Sequence, residues 1–235
     1  EIEKFTQQWR EKLPQQRIEL CFIEFADVML DQGLANAAHN SKRVVVIPLI
    51  LNAAGHVKME IPEHIAHARK KFPQCEFIYA PHLGACDEIL AILRRRLTAS
   101  MNAMDVPDPA TTGVILLGRG SSDRQANGEV AKMARWLQED AFSRNVRHEL
   151  VDFAFTGITY PRLERVVQRQ VKLGMLQIAI LPYYLFTGTL VERIKRQVAR
   201  LQQQFPQVIF HCGDYFGFEK EIFTRLEKHI HDAVY

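Results

Sequence analysis

Two runs decide the fold: Val44-Val45-Val46-Ile47-Pro48-Leu49 and, far downstream, Ile178-Ala179-Ile180-Leu181-Pro182-Tyr183. Each is a short apolar run bounded by turn residues, as expected of a strand buried on both faces. The text around the two runs also repeats. Phe72-Pro73 returns as Phe205-Pro206 and Gly84 returns as Gly217, both 133 positions on, whereas Pro48 to Pro182 is 134. One single-residue gap reconciles the three spacings. Between these anchors, Pro62 to Lys71 and Lys195 to Gln204 both read as amphipathic helices. Landmarks at a fixed spacing indicate an internal duplication, against the plainer reading that two α/β units share only composition.

The second half predicts a full strand and helix alternation. Gly113 to Gly118 is a buried strand, Ala131 to Glu139 a helix, His148 to Phe155 a strand and Pro161 to Val171 a helix. The Ile178 strand, a helix over Val191 to Gln204, a strand over Val208 to Cys212 and a last helix from Glu219 follow. Such a series predicts an α/β fold with parallel sheets covered on both faces. The halves divide as residues 1–105 and 106–235, joined through Asn102 to Thr112 with its Pro107, Asp108 and Pro109. The first half opens inside a helix, so its counterpart of the Gly113 strand is absent from these residues.

Composition narrows the class. The chain has 235 residues, 47% hydrophobic and 24% charged, which excludes a disordered protein. Lys plus Arg number 30 against 27 for Asp plus Glu, and the net charge of +3 is too small to signal nucleic acid. Cys21, Cys75, Cys86 and Cys212 form no C-x-x-C pair and read as reduced thiols of a cytoplasmic protein. Val44 to Ala54 is too short to span a membrane, and the opening residues are no signal peptide. A monomer is expected.

The chemistry gathers after the first decisive run. Asn52-Ala53-Ala54-Gly55-His56 follows a buried strand, and ligands of parallel α/β sheets bind outside the carboxyl ends of strands. The small residues allow backbone to approach a flat ligand closely. Glu60, four residues beyond His56, shares its face if helix has begun. Imidazole with nearby carboxylates suits a divalent transition metal. The plainer reading is a His that caps the helix. Glu24, in Cys21-Phe22-Ile23-Glu24-Phe25-Ala26-Asp27, ends an apolar strand and must reach a cleft or be paired. The matching places in the second half hold Gly157 and Thr189, so acid and imidazole belong to one half only. Gly118-Arg119-Gly120-Ser121-Ser122-Asp123 reads either as a carboxylate cradle with Arg119, Ser121 and Arg124, or as a tight strand-to-helix turn. It is neither a Walker sequence nor G-x-G-x-x-G. His64 and His67 read as surface residues, and His82 is a weaker candidate.

Pro48 to Pro62, Ala80-Pro81-His82-Leu83-Gly84-Ala85 and Leu116 to Asp123 together resemble the CbiX-type sirohydrochlorin chelatases in their long, duplicated form. Leu185-Phe186-Thr187-Gly188-Thr189-Leu190 matches the second half of that form. The resemblance implies two flavodoxin-like lobes facing each other across a cleft. It also implies insertion of Co2+ or Fe2+ into sirohydrochlorin, for cobalamin or sirohaem. The metal would be a substrate, with no tightly bound cofactor. It gives His56 the roles of metal ligand and base, Glu24 that of strand-end carboxylate, and leaves Glu60 as a second metal ligand. Lys58, Arg119, Arg124 or Arg193 would line a cleft for an acidic tetrapyrrole, with Asn52 to Gly55 and Ser121 beside it. A further family His, in a His-Gly-Ser loop, would fall upstream of Glu1, and Arg119 takes its place in the second half. The natural protein is therefore expected to carry about a dozen or more residues before Glu1. No His-rich or Cys-rich tail precedes Tyr235. The competing class is a non-catalytic tetrapyrrole or metal carrier on the same frame; a phosphate-binding enzyme lacks its motif.

Overall fold

The first half begins with α1 (Ile2–Lys12) and α2 (Leu30–Ala38), followed by β1 (Arg43–Val46). A π-helical turn over His56–Glu60 runs into α3 (Ile61–Lys71), then β2 (Glu76–Tyr79) and α4 (Asp87–Asn102). The second half holds β3 (Thr112–Gly118), α5 (Arg124–Ser143), β4 (Val151–Phe155) and α6 (Leu163–Lys172). It ends with β5 (Gln177–Pro182), α7 (Thr189–Gln204), β6 (Ile209–Cys212) and α8 (Lys220–Val234). The computed structural model describes residues 1–24 and 26–234.

By packing, the chain forms two units: Glu1–Gly84 with Ile222–Tyr235, and Ala85–Glu221. In the second unit a parallel sheet runs in the order β4-β3-β5-β6. All seven residues of β3 and all six of β5 are buried, which is why those runs are apolar without alternation. Ile115, Leu117, Ile178 and Ile180 meet Leu163 and Val167 of α6 and Ile194 and Leu201 of α7. The alternate residues Val114, Leu116, Ala179 and Leu181 are equally buried and point to the other face. There α5 packs on β3 and β4, and α4 on β5.

In the first unit β1 and β2 pair in parallel, Val46 opposite Tyr79. Leu30 and Leu34 of α2 and Ile61 and Ile65 of α3 pack with Phe77 of β2 and the half-buried Val44 and Val46 of β1. Phe5 of α1 stacks on Phe223 of α8, ring centroids 4.4 Å apart and 8° from parallel, and is 1% exposed. Packing groups α4 with the second unit and most of α8 with the first.

The duplication is written into the backbone of each unit. Phe72 and Phe205, the C-caps of α3 and α7, have φ −126° in both cases, with ψ 67° and 69°. Gly84 and Gly217 both sit at φ +66°. The amides of Leu83 and Gly84 donate to Ile50 and Leu51; those of Phe216 and Gly217 donate to Tyr184 and Leu185.

One element differs from expectation. The stretch through Glu24 was expected to be a strand, but only a single bridge, Phe22 with Met29, forms there. The Phe22 amide donates to Val28 at 2.8 Å, closing a local loop. A strand is defined by its neighbour: β4, at the matching place, is a strand because β3 lies alongside it. Among the described residues no strand flanks Leu20 to Glu24. Phe25 lies outside the described residues. No helix among them is long and apolar enough to cross a membrane.

Candidate functional site

The site grows from the end of β1. The loop beyond Val46 is pinned by the Leu83 and Gly84 amides, each 3.0 Å from its carbonyl on Ile50 or Leu51. Gly84 turns with positive φ to make this reach, a conformation that disfavours a side chain. The chain then winds into the π-turn, where the Ile61 amide donates to His56, five residues back. π-turns are rare and gather at functional sites.

This turn holds His56 between two carboxylates. Nδ1 lies 2.5 Å from Glu60 Oε2, and Nε2 lies 3.8 Å from Glu24 Oε1. All three side chains are about half exposed, so solvent and ligand can reach them. A neutral imidazole has one N–H and two ring nitrogens. With an acid beside each nitrogen, the ring can take up a proton without leaving it unpaired. Among the described residues no group of three or more His, Cys, Asp or Glu side chains is arranged to enclose a metal ion. The cluster is an open station rather than a cage.

Around it, Ala53 and Ala54 are half-buried and Gly55 is exposed. A Cβ placed on Gly55 would meet nothing within 4 Å, so the surface over it is open. Asn52 Oδ1 is buried and accepts no hydrogen bond. Lys58 is exposed, as is Met59 at 72%, an apolar contact surface beside His56 that residue types alone did not single out. Sequence reasoning also missed Tyr79, whose hydroxyl donates to the Val57 carbonyl at 2.8 Å. Its signal was a phenol at a strand end. His64 pairs with Asp31 at 2.5 Å and His67 is exposed.

In the second unit, the Gly118 loop is a strand-to-helix turn that satisfies itself. Asp123 caps α5, accepting from the Gln125 amide at 2.8 Å and the Ala126 amide at 3.4 Å. Asn127 accepts from the Ser121 amide, and the Ser121 hydroxyl accepts from the Asp123 amide. Of the two readings, the tight strand-to-helix turn matches these bonds: the Ser121, Asp123, Gln125 and Ala126 amides bond the loop's own side chains. What remains is Arg119, exposed at the end of β3. Burial raises the Tyr184 phenol, while the Thr156 hydrogen bond and the positive charges of Arg119 and Arg193 act against the rise. Both charges act on Tyr184, just beyond the end of β5.

The family model described as CbiX matches residues 1–100 and 113–233. The chain belongs to the CbiX family. A relative, the sirohydrochlorin cobaltochelatase of Priestia megaterium, is 36% identical over 218 residues, 92% of this chain and 69% of that one. The sirohydrochlorin ferrochelatase of Bacillus subtilis (strain 168) is 29% identical over 205 residues, 87% of this chain and 74% of that one. SirB from Bacillus subtilis, solved with Fe3+, superposes with a TM-score of 0.83 at 26% identity, covering 100% of this chain and 89% of its own. The match of CbiX folds spans both halves, so the two-lobe α/β reading holds.

Proposed function

We propose that this chain inserts a divalent metal, Co2+ or Fe2+, into sirohydrochlorin, and that His56, Glu24 and Glu60 perform the exchange. The observation that carries this reading is the imidazole set between two carboxylates at the carboxyl end of β1. Family membership supports it, since the named relatives act on that tetrapyrrole. Insertion replaces two pyrrole N–H protons with one dication, so the site must present a metal and accept protons. His56 Nε2 is a borderline donor suited to both ions, and does not strongly distinguish them. Once the ion passes to the macrocycle, the vacated nitrogen can take a pyrrole proton, with Glu60 stabilising the imidazolium at Nδ1. Glu24 receives the second proton or passes it to water. A metal that must leave is poorly served by a closed cage, which agrees with the open cluster. Asn52 to Gly55 and Lys58, in the unit that carries His56, are assigned to the acidic macrocycle.

The test is the absorbance change of sirohydrochlorin with Co2+, or with Fe2+ under anaerobic conditions. The chain should accelerate insertion, and His56→Ala should reduce the rate by about 100-fold while remaining folded. Tight tetrapyrrole binding without acceleration would favour the carrier reading.

A further inference from the structure

The duplication supplies an internal control for the turn that bears His56. The π-turn of 5 residues and α3 of 11 occupy the same span, position for position, as the 16 residues of α7. In the second half that span is α-helical from Thr189 onward, whereas in the first half its opening turn is π. Among the residues that differ at matching places, 133 positions apart, three bear on this turn. Pro62 corresponds to Lys195, Tyr79 to Cys212 and His56 to Thr189.

The backbone explains why the difference needs Tyr79. Proline has no N–H, and within an α-helix its ring strikes the carbonyl four residues back, here Lys58. Widening the turn relieves the clash, and Ile61 then donates to His56. In that pattern the Val57 carbonyl would accept from residue 62, which is Pro62 and offers nothing. Val57 is buried, and a buried carbonyl without a donor is costly. The Tyr79 hydroxyl supplies the missing donor at 2.8 Å. Tyr79 is itself held by the sheet as the last residue of β2, opposite Val46. Burial pushes its phenol up to about 12, so it remains a protonated donor.

We propose that Tyr79 is a positioning residue for His56: its hydroxyl replaces the amide that Pro62 lacks and holds the π-turn that sets the imidazole between Glu24 and Glu60. The kinetic part rests on the chelatase reading; the geometric part does not. The test compares the full chain with Tyr79→Phe, Pro62→Ala and the double variant. Two quantities are read: the NMR position of the His56 ring proton, assigned by its loss in His56→Asn, and kcat against KM for Co2+ insertion.

Tyr79→Phe should move the His56 resonance and lower kcat roughly tenfold, with KM for sirohydrochlorin within about twofold. In the Pro62→Ala background residue 62 or its neighbour can satisfy Val57, and the same Tyr→Phe change should leave the His56 resonance in place and alter kcat by less than about twofold. An unmoved resonance in Tyr79→Phe, or equal effects in both backgrounds, overturns the proposal. If Tyr79→Phe fails to fold, folding of the double variant supports it and failure of both overturns it. If the unmodified chain does not insert metal, the chelatase reading fails, and the resonance comparison still decides the role of Tyr79.

Discussion

At the scale of single residues, the site separates chemistry from stability. Glu24 and His56 are about half exposed, and exposed ion pairs contribute at most about 1 kcal/mol. Glu24→Gln keeps the shape and removes the charge. It should leave the thermal midpoint within about two degrees of the parent, since even 1 kcal/mol shifts a chain this size by only a few degrees. The insertion rate should still fall roughly tenfold if the carboxylate receives a proton. Gly55 makes the complementary case. Its backbone is right-handed helical, φ −49°, and a methyl there would enter open space. Gly55→Ala should therefore stabilise the fold by about 0.5 kcal/mol, while raising KM for sirohydrochlorin if the macrocycle lies against that surface. Urea unfolding and steady-state kinetics on one preparation would check both signs. His56 and Glu60 could be paired from sequence because four residues on a helix share a face. The approach of Glu24 could not, because it depends on a loop closed by a local hydrogen bond between Phe22 and Val28.

At the scale of elements, the turns carry the sharpest demands. Gly120 has φ +88°, and a Cβ there would lie 2.2 Å from the Gly157 carbonyl. The Gly157 amide in turn donates to Arg119 at 3.0 Å, so the two loops are locked together. Gly120→Ala should cost about 3 kcal/mol, read as a lowered urea midpoint, because neither the dihedral nor the backbone contact can give way. The buried strands β3 and β5 were readable because unbroken apolar runs have one common explanation in an α/β chain. The stretch before Glu24 misled because its composition is that of a strand, while pairing depends on a neighbour. The two readings of the Gly118 loop could not be separated in sequence for a related reason. Asp123 and Asn127 are themselves acceptors, and they took the amides that a ligand would have used. The π-turn was not anticipated, although Pro62 six residues after His56 was its visible cause.

At the scale of the molecule, two buried histidines set the response to acid. Burial lowers His148 and His229 below their ordinary 6.5; the positive charges of Arg144 and Arg225, respectively, act the same way. The unfolded chain then binds protons more readily than the folded one below that value. Stability should fall as pH drops from 6.5 through the lower folded values. Thermal melts between pH 7 and pH 5 should show the decline, and His148→Gln should flatten it; an unchanged slope would remove His148 from the account. The duplication itself was the most readable large-scale feature, since landmarks such as Gly84 and Gly217 mark identical backbone hooks. The grouping of terminal helices was not readable, because an amphipathic helix does not name the sheet it will cover.

That grouping bears on how the protein is made. The Phe5 and Phe223 rings that stack in the first unit are separated by nearly the whole chain. On a ribosome, residues 85–221 are all synthesised before Ile222 is added. At ordinary elongation rates, Phe223 follows Phe5 by an interval on the order of ten seconds. The first unit is begun before the second and completed after it, so its apolar surfaces stay uncovered, and open to chaperones, until Ile222 and the residues beyond it arrive.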